Sequence, residues 1–207
     1  MADIRYKFDT IKDHFRDNAL YYFFACLFTL VGLGIGLYIS LTGYRYTALL
    51  SSPDKNMFAY ITGTAPYTSI FYSRLINVIL CVAIIFVLSL TKYTAVLGYI
   101  FLSYQMSLIV LSSAAIISLY GLTGVLNVIF FVVPVNIANY ALMTFGLGIG
   151  LERARAWSNY RLRFSDSFRE TGFMFKFIIY LIALVVICLL HSFVLPIFLK
   201  SFVVINY

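Results

Sequence analysis

Five long apolar runs, separated by short polar segments, constrain the fold of this chain more than any other feature. They lie at 19–41, 74–91, 95–119, 122–151 and 174–199. An α-helix needs about 20 predominantly apolar residues to cross a bilayer. The runs therefore predict an all-α membrane protein with about five transmembrane helices.

The composition agrees with this interpretation. Hydrophobic residues make up 62% of the chain and charged residues only 11%, whereas a soluble domain carries about 25% charged residues. The net charge of +7 by itself suits nucleic-acid binding. The basic residues flank the apolar runs instead, and there is no basic soluble domain. We therefore expect a lipid bilayer around the chain and no nucleic-acid partner.

The distribution of Lys and Arg predicts how the chain is oriented. With the N-terminus inside, the inner segments hold eleven of the 15 Lys and Arg residues and the outer segments hold four. Because positive charge favours the cytoplasmic side, we expect the N-terminus inside and the C-terminus outside.

The remaining segments are connections within one membrane domain, 1–207. Residues 1–18 place apolar side chains at helical spacing between charges, which predicts a cytoplasmic amphipathic helix on the membrane surface. The alternative is an ordinary solvated helix leading into the first span. Residues 42–73 form the outer loop, and residues 152–173 form a basic inner loop.

The sequence contains no recognisable catalytic or metal-binding motif. The outer segments hold one acidic residue, Asp54, which leaves no carboxylate pair there for acid–base chemistry. His14 and His191 fall on opposite sides of the membrane in the predicted topology. The three cysteines all lie inside apolar runs, as small core residues do: Cys26, Cys81 and Cys188. We expect no enzyme, no catalytic residue, no metal and no cofactor.

The sequence GLGIGL occurs twice, at 32–37 and at 146–151. Each copy contains two glycines four positions apart, a spacing that lets helix backbones approach closely. The glycines predicted to pack helices are Gly32, Gly36, Gly146 and Gly150. An inverted repeat of the kind that transporters contain is the alternative interpretation.

The fourth run contains a helix breaker and amides. Pro134 removes the donor for the carbonyl of residue 130, which in lipid must find another partner. Asn136 and Asn139 are placed to supply donors to such freed groups. These three residues predict a kinked or broken fourth span, which is either a functional hinge or a structural fixture.

The outer loop is rich in tyrosines, which are typical anchors of protein interfaces. The candidates for partner binding are Tyr44, Tyr46, Tyr60 and Tyr67. The alternative is an aromatic belt at the membrane surface.

Four arginines follow the fourth run directly: Arg153, Arg155, Arg161 and Arg163. Basic clusters of this kind attract anionic lipid, so the segment predicts a membrane anchor. Docking to a cytoplasmic partner is the alternative, because the segment is longer than anchoring needs.

Several stretches together resemble the stage II sporulation protein M family of small multispan membrane proteins. IKDHFRDNALYYFFACLFTLVGLGIGL resembles the family's opening, and SIFYSRLINVI resembles the entry to its second span. YGLTGVLNVIFFVVPVNIANYAL resembles its most characteristic block, glycines followed by PxN, and FIIYLIALVVICLLHSFVLPIFL resembles its closing span. The likeness runs nearly end to end. The outer loop is shorter, however, and Lys92 occupies a connection that is usually more apolar.

The resemblance implies a non-enzymatic scaffold in a bacterial cytoplasmic membrane. Namesake members recruit two peptidoglycan-degrading enzymes to the septal membrane, which drives engulfment of the forespore during sporulation. The implied partners are the bilayer and membrane or membrane-anchored proteins such as peptidoglycan hydrolases, and a homo-oligomer is left open. A membrane subunit of a transporter or larger complex is the alternative, motivated by the fourth span and the duplicated glycines.

Overall fold

The computed structural model describes residues 13–42, 67–91, 93–159 and 164–194. Every regular element in these ranges is helical, which confirms the predicted all-α class. In chain order the elements are α1 (Ala19–Leu41), α2 (Tyr67–Ser89), α3 (Thr94–Asn127), the π-helical segment π1 (Val128–Val132), α4 (Val133–Asn159), α5 (Phe164–Glu170), α6 (Phe173–Leu189) and the π-helical segment π2 (Leu190–Val194).

Among the described residues, four helical stretches are long and apolar enough to cross a membrane, where the sequence predicts about five. They are Ala19–Leu41, Phe71–Ser89, Thr94–Ser118 and Gly124–Ser158. The fifth run forms α6, which has 17 residues, and continues as π2 to Val194. Large apolar side chains on the outside of the bundle suit contact with lipid, among them Leu20, Tyr38 and Leu122. The orientation in the membrane stays a prediction.

The chain reverses direction at Gly121, within α3. This residue has φ 56° and ψ −130°, whereas the residues around it are helical. A methyl group on Gly124 would lie 2.7 Å from the Ile116 carbonyl oxygen, and one on Gly98 would lie 3.3 Å from Leu147. Residues on either side of Gly121 therefore face each other in an antiparallel hairpin, at the tight connection that separates the third and fourth apolar runs.

α1 packs closely against α3 because two glycines remove the side chains between them. A methyl group on Gly32 would lie 2.9 Å from the Ser103 Cα atom, and one on Gly36 would lie 2.8 Å from the Val110 Cβ atom. The Ser103 hydroxyl donates a 2.8 Å hydrogen bond to the carbonyl of Phe28 across the same contact. Gly32 and Gly36 thus lie at a helix–helix contact.

α4 is the central helix, packed against α2, α3 and α6. The core around it joins residues from every long helix: Tyr21, Ile85, Leu102, Leu147, Tyr180 and Leu184 are all almost completely buried. We call the end of the bundle that contains Glu152 the Glu152 end. The predicted orientation places this end inside the cell.

Candidate functional site

Two polar side chains of the segment before α1 are buried in the bundle. Residues 13–17 are helical, and His14 and Asn18 are only 4% and 2% exposed. Burying polar groups is unfavourable unless they form hydrogen bonds. Asn18 donates one at 2.9 Å from Nδ2 to the carbonyl of His14. This segment is therefore docked into the Glu152 end, whereas the sequence predicts a surface helix; residues 1–12 lie outside the described ranges.

Glu152 is the centre of an ionic cluster at this end. The Lys176 Nζ atom lies 2.6 Å and 2.7 Å from its two carboxylate oxygens. The His14 Nδ1 atom lies 2.7 Å from Oε2. One carboxylate therefore joins the segment before α1 to both α4 and α6. We call Glu152, Lys176, His14 and Tyr22 the Glu152 cluster.

Tyr22 extends the cluster into α1. Its hydroxyl lies 3.0 Å from the Nε2 atom of His14. A neutral His14 that donates from Nδ1 to the carboxylate accepts at Nε2 from this hydroxyl. Both carboxylate oxygens and both imidazole nitrogens are then engaged. These contacts make the cluster a joint between three segments of the chain.

The second GLGIGL copy places each of its glycines against a different part of the bundle. A methyl group on Gly146 would lie 2.9 Å from the Tyr180 ring, and one on Gly150 would lie 2.6 Å from the Ser89 Cβ atom. Gly148, which the four-residue spacing did not select, makes room for the cluster. A methyl group there would lie 2.6 Å from the Tyr22 hydroxyl oxygen and 3.3 Å from the His14 Nε2 atom.

The two described arginines of the basic segment point into the protein. Arg153 is 0% exposed and donates a hydrogen bond from its NH1 group to the carbonyl of Ser89. Its guanidinium carbon lies 4.0 Å from the centroid of the Phe168 ring, a cation–π contact. Arg155 donates a 3.2 Å hydrogen bond to Oδ1 of Asn18. Arg153 is therefore placed for helix packing and not for lipid contact, while Arg161 and Arg163 lie outside the described residues.

The fourth run stays helical through Pro134, after a change of helix type. π1 ends two residues before this proline, and α4 begins at Val133. Pro134 is exposed and Asn136 is buried. Within the described ranges neither Asn136 nor Asn139 donates a hydrogen bond to a backbone carbonyl, in contrast with the expectation from sequence. π1 contains residue 130, whose carbonyl loses its α-helical donor at Pro134.

The structure describes few contacts of the other predicted site residues. Tyr44, Tyr46 and Tyr60 lie outside the described residues, and Tyr67 begins α2. In the parts of the chain that the structure describes, no group of three or more His, Cys, Asp or Glu side chains is arranged to hold a metal ion.

The Glu152 cluster is not predicted by any motif, although one signal in the sequence points to it. Lys176 lies inside the run 174–199 that is predicted to span the membrane. A charge in such a position requires a partner. Glu152 is the acidic residue that directly follows the fourth run, at the same predicted end of the bundle.

Fold and composition together define a class: a membrane protein that is helical throughout the part of the chain that the structure describes, with four helices there long and apolar enough to cross a bilayer. No protein-family profile, no curated protein and no solved structure matches the chain. The likeness to the stage II sporulation protein M family therefore rests on the sequence stretches quoted above.

Proposed function

We propose that this chain is a non-enzymatic membrane scaffold that recruits or positions partner proteins. One observation carries the proposal: the charged groups of the Glu152 cluster are used to fasten segments of the chain to one another. The carboxylate joins α4 to α6 through Lys176 and to the segment before α1 through His14. A bundle fastened in this way suits a rigid platform, which holds its loops in fixed positions for a partner.

The partners in this proposal come from the resemblance. They are peptidoglycan-remodelling enzymes, bound on the outer side of a bacterial cytoplasmic membrane during engulfment of the sporulation type. The proposed contact surface is the set of outer-loop tyrosines: Tyr44, Tyr46, Tyr60 and Tyr67. Tyrosine suits this role because it combines a large apolar ring with a hydroxyl group that forms hydrogen bonds.

Affinity purification from solubilised membranes tests the recruitment proposal. The four outer-loop tyrosines are replaced by Ser, and the control variant replaces three exposed tyrosines elsewhere on the bundle: Tyr38, Tyr93 and Tyr104. Captured wall hydrolases are identified by mass spectrometry and by zymography. We expect the outer-loop variant to lose the hydrolases and the control variant to retain them. Equal capture by both variants would rule out the outer-loop contact.

A membrane subunit of a transporter is the second candidate function. The observation that favours it is π1, which directly precedes Pro134 and the buried Asn136 inside the helical stretch Gly124–Ser158. Turns of π-helix are frequent at functional sites. The same purification separates the two candidates: an associated ATPase activity without wall hydrolases favours transport, and hydrolases without ATPase activity favour the scaffold.

A further inference from the structure

Arg155 lies on the face of α4 that contacts the start of α1. It follows Gly148 by seven positions and Glu152 by three, a spacing that places all three residues on one side of the helix. Its NH1 group donates a 3.2 Å hydrogen bond to Oδ1 of Asn18, the residue before α1. The amide of Asn18 in turn donates to the carbonyl of His14. The guanidinium of Arg155 is therefore held in a defined position at the Glu152 end.

Arg155 is a partly buried cation without a carboxylate partner in the parts of the chain that the structure describes. The described carboxylates that form ion pairs are engaged with other basic residues: Glu152, Asp13 and Asp17. A guanidinium carries five N–H donors and no acceptor. The hydrogen bond to Asn18 uses one of them. Donors and a positive charge thus remain for an anion that the chain itself does not supply there.

The two described arginines of the basic segment differ in this respect. Arg153 is 0% exposed, and its guanidinium contacts the Ser89 carbonyl and the Phe168 ring. Arg155 is only partly buried and lies nearer the surface of the bundle. Of these two arginines, Arg155 is the one whose guanidinium can reach a group outside the protein.

Tyr99 of α3 is a second polar side chain beside Arg155. Its ring stacks with the rings of Tyr21 and Phe28 on α1, at centroid distances of 5.4 Å and 5.0 Å. Tyr99 is close enough to Arg155 for the two side chains to interact electrostatically. A tyrosine with a packed ring and a partly exposed hydroxyl is typical of the headgroup level of a bilayer. A cation and a hydroxyl group therefore lie together at the Glu152 end.

The surface next to this polar pair is apolar. The ring of Phe24 on α1 lies 6.2 Å from the ring of Tyr99 and is exposed. Ile100, the next residue of α3, is exposed as well. Exposed apolar side chains on membrane helices suit contact with hydrocarbon. A ligand with a charged head and an apolar tail fits both parts of this surface.

We infer that Arg155 and Tyr99 bind the phosphate of one anionic phospholipid, whose acyl chains lie along Phe24 and Ile100. Charge complementarity carries the inference: a guanidinium donates two parallel hydrogen bonds to a phosphate group, and the tyrosine hydroxyl donates a third. A zwitterionic headgroup fits less well, because it brings a second cation beside Arg155. The site is independent of the recruitment proposal, because it uses residues of the bundle and none of the outer loop.

Native mass spectrometry of the full-length protein, released from detergent with added lipid, tests this site. The probe is phosphatidylglycerol, and phosphatidylcholine is the zwitterionic comparison. Arg155→Gln removes the charge and keeps a donor for Asn18. The matched control is Arg16→Gln, which removes one positive charge from a 73% exposed side chain at the same end. We expect Arg155→Gln to weaken the binding of the first phosphatidylglycerol at least about fivefold, and the control to change it less than about twofold.

Two outcomes of this comparison would overturn the inference. Equal weakening by both variants would show that the lipid responds to net charge and not to a site. Unchanged binding by Arg155→Gln would show that this side chain does not contact the headgroup. Tyr99→Phe keeps the stacked ring and removes the hydroxyl, so it is expected to weaken phosphatidylglycerol binding as well, by about twofold or more.

A measurement on the unaltered protein covers the case in which Arg155→Gln does not fold. Thermal unfolding in detergent is followed with phosphatidylglycerol, with phosphatidylcholine and with inorganic phosphate. A ligand that binds the folded state raises the unfolding temperature, and we expect the largest rise with phosphatidylglycerol. An equal rise with phosphatidylcholine would overturn the preference for an anionic lipid. An equal rise with inorganic phosphate would show that the site binds free phosphate, which would overturn the assignment to lipid.

Discussion

Arg153 donates a hydrogen bond from its guanidinium to the backbone carbonyl of Ser89, the last residue of α2. Carbonyl groups at the C-terminal end of a helix have no partner within the helix, and a cation there also interacts favourably with the helix dipole. The Phe168 ring of α5 covers the other side of the guanidinium. One arginine therefore joins α2, α4 and α5 at the Glu152 end.

We predict that Arg153→Leu destabilises the bundle by about 1–3 kcal/mol, because it leaves a buried carbonyl without this donor. The matched control is Arg155→Leu, which removes a longer hydrogen bond, 3.2 Å, from a less buried side chain. Unfolding by a denaturing detergent, followed by circular dichroism, measures both variants. A larger loss for the Arg155 variant would contradict the role given to Arg153.

The glycines of α1 provide a test of close helix packing. Gly32→Ala forces a methyl group against the backbone of Ser103 on α3, which cannot move aside as a side chain does. Gly34→Ala is the control, because nothing lies within 4 Å of the added methyl group. We expect the first variant to unfold at a clearly lower temperature. The second variant is expected to gain up to about 1 kcal/mol of stability, because Ala has a higher helix propensity than Gly.

Equal unfolding temperatures for these two variants would mean that α1 and α3 can move apart with no loss of stability. Gly36→Ala provides a second position, where the added methyl group would lie 2.8 Å from the Val110 Cβ atom and 2.9 Å from the Ser107 carbonyl oxygen. The methyl group at Gly32 overlaps the carbonyl oxygen of Ser103 more closely than the one at Gly36 approaches either of these atoms, so the loss of stability is expected to be smaller at Gly36.

Helix positions follow from the sequence because membrane helices are defined by long apolar runs. α1 begins and ends at the limits of the first run, Ala19–Leu41. α2 begins at Tyr67, seven residues before the second run. The polar residues before the run are helical, although their low hydropathy leaves them out of the predicted span. At Pro134 the sequence indicates a disturbance but not its form: the helix widens into π1 and continues.

The Glu152 cluster depends on contacts that no local pattern contains. His14 and Glu152 are 138 positions apart, and Lys176 is 24 positions beyond Glu152. Their meeting follows from the packing of α1, α4 and α6, which hydropathy does not specify. Arg153 illustrates the same limit. Its position after an apolar run predicts exposure to lipid headgroups, whereas its side chain is buried and contacts the end of α2 and the Phe168 ring of α5.

The ion pair of Glu152 and Lys176 is expected to be energetically coupled. Its side chains are 29% and 17% exposed. Removing one partner leaves the other partly buried without its counter-charge. The double variant Glu152→Gln with Lys176→Met should therefore lose less free energy of unfolding than the sum of the losses in the two single variants. We expect a coupling free energy of at least about 1 kcal/mol, within the range found for residues in contact. Thermal unfolding of all four proteins measures it.

The control for this cycle is the pair of Asp13 and Arg16, whose side chains are 51% and 73% exposed. Exposed pairs of this kind contribute about 0.3–0.5 kcal/mol. A coupling at Glu152–Lys176 no larger than that of the exposed pair would show that the Glu152 cluster does not hold the helices together.

The last prediction concerns the two glycines with positive φ. Gly172, which precedes α6, has φ 60° and ψ 26°, in the left-handed helical region that Asn also adopts. Gly121 has φ 56° and ψ −130°, outside that region, where only glycine is free of strain. An added Cβ atom meets nothing within 4 Å at either position, so backbone conformation is what separates them. We therefore expect Gly172→Asn to be nearly neutral and Gly121→Asn to destabilise by about 1–3 kcal/mol. Unfolding of both variants in detergent measures the difference. If the two variants lose equal stability, the reversal within α3 does not require the conformation that Gly121 adopts.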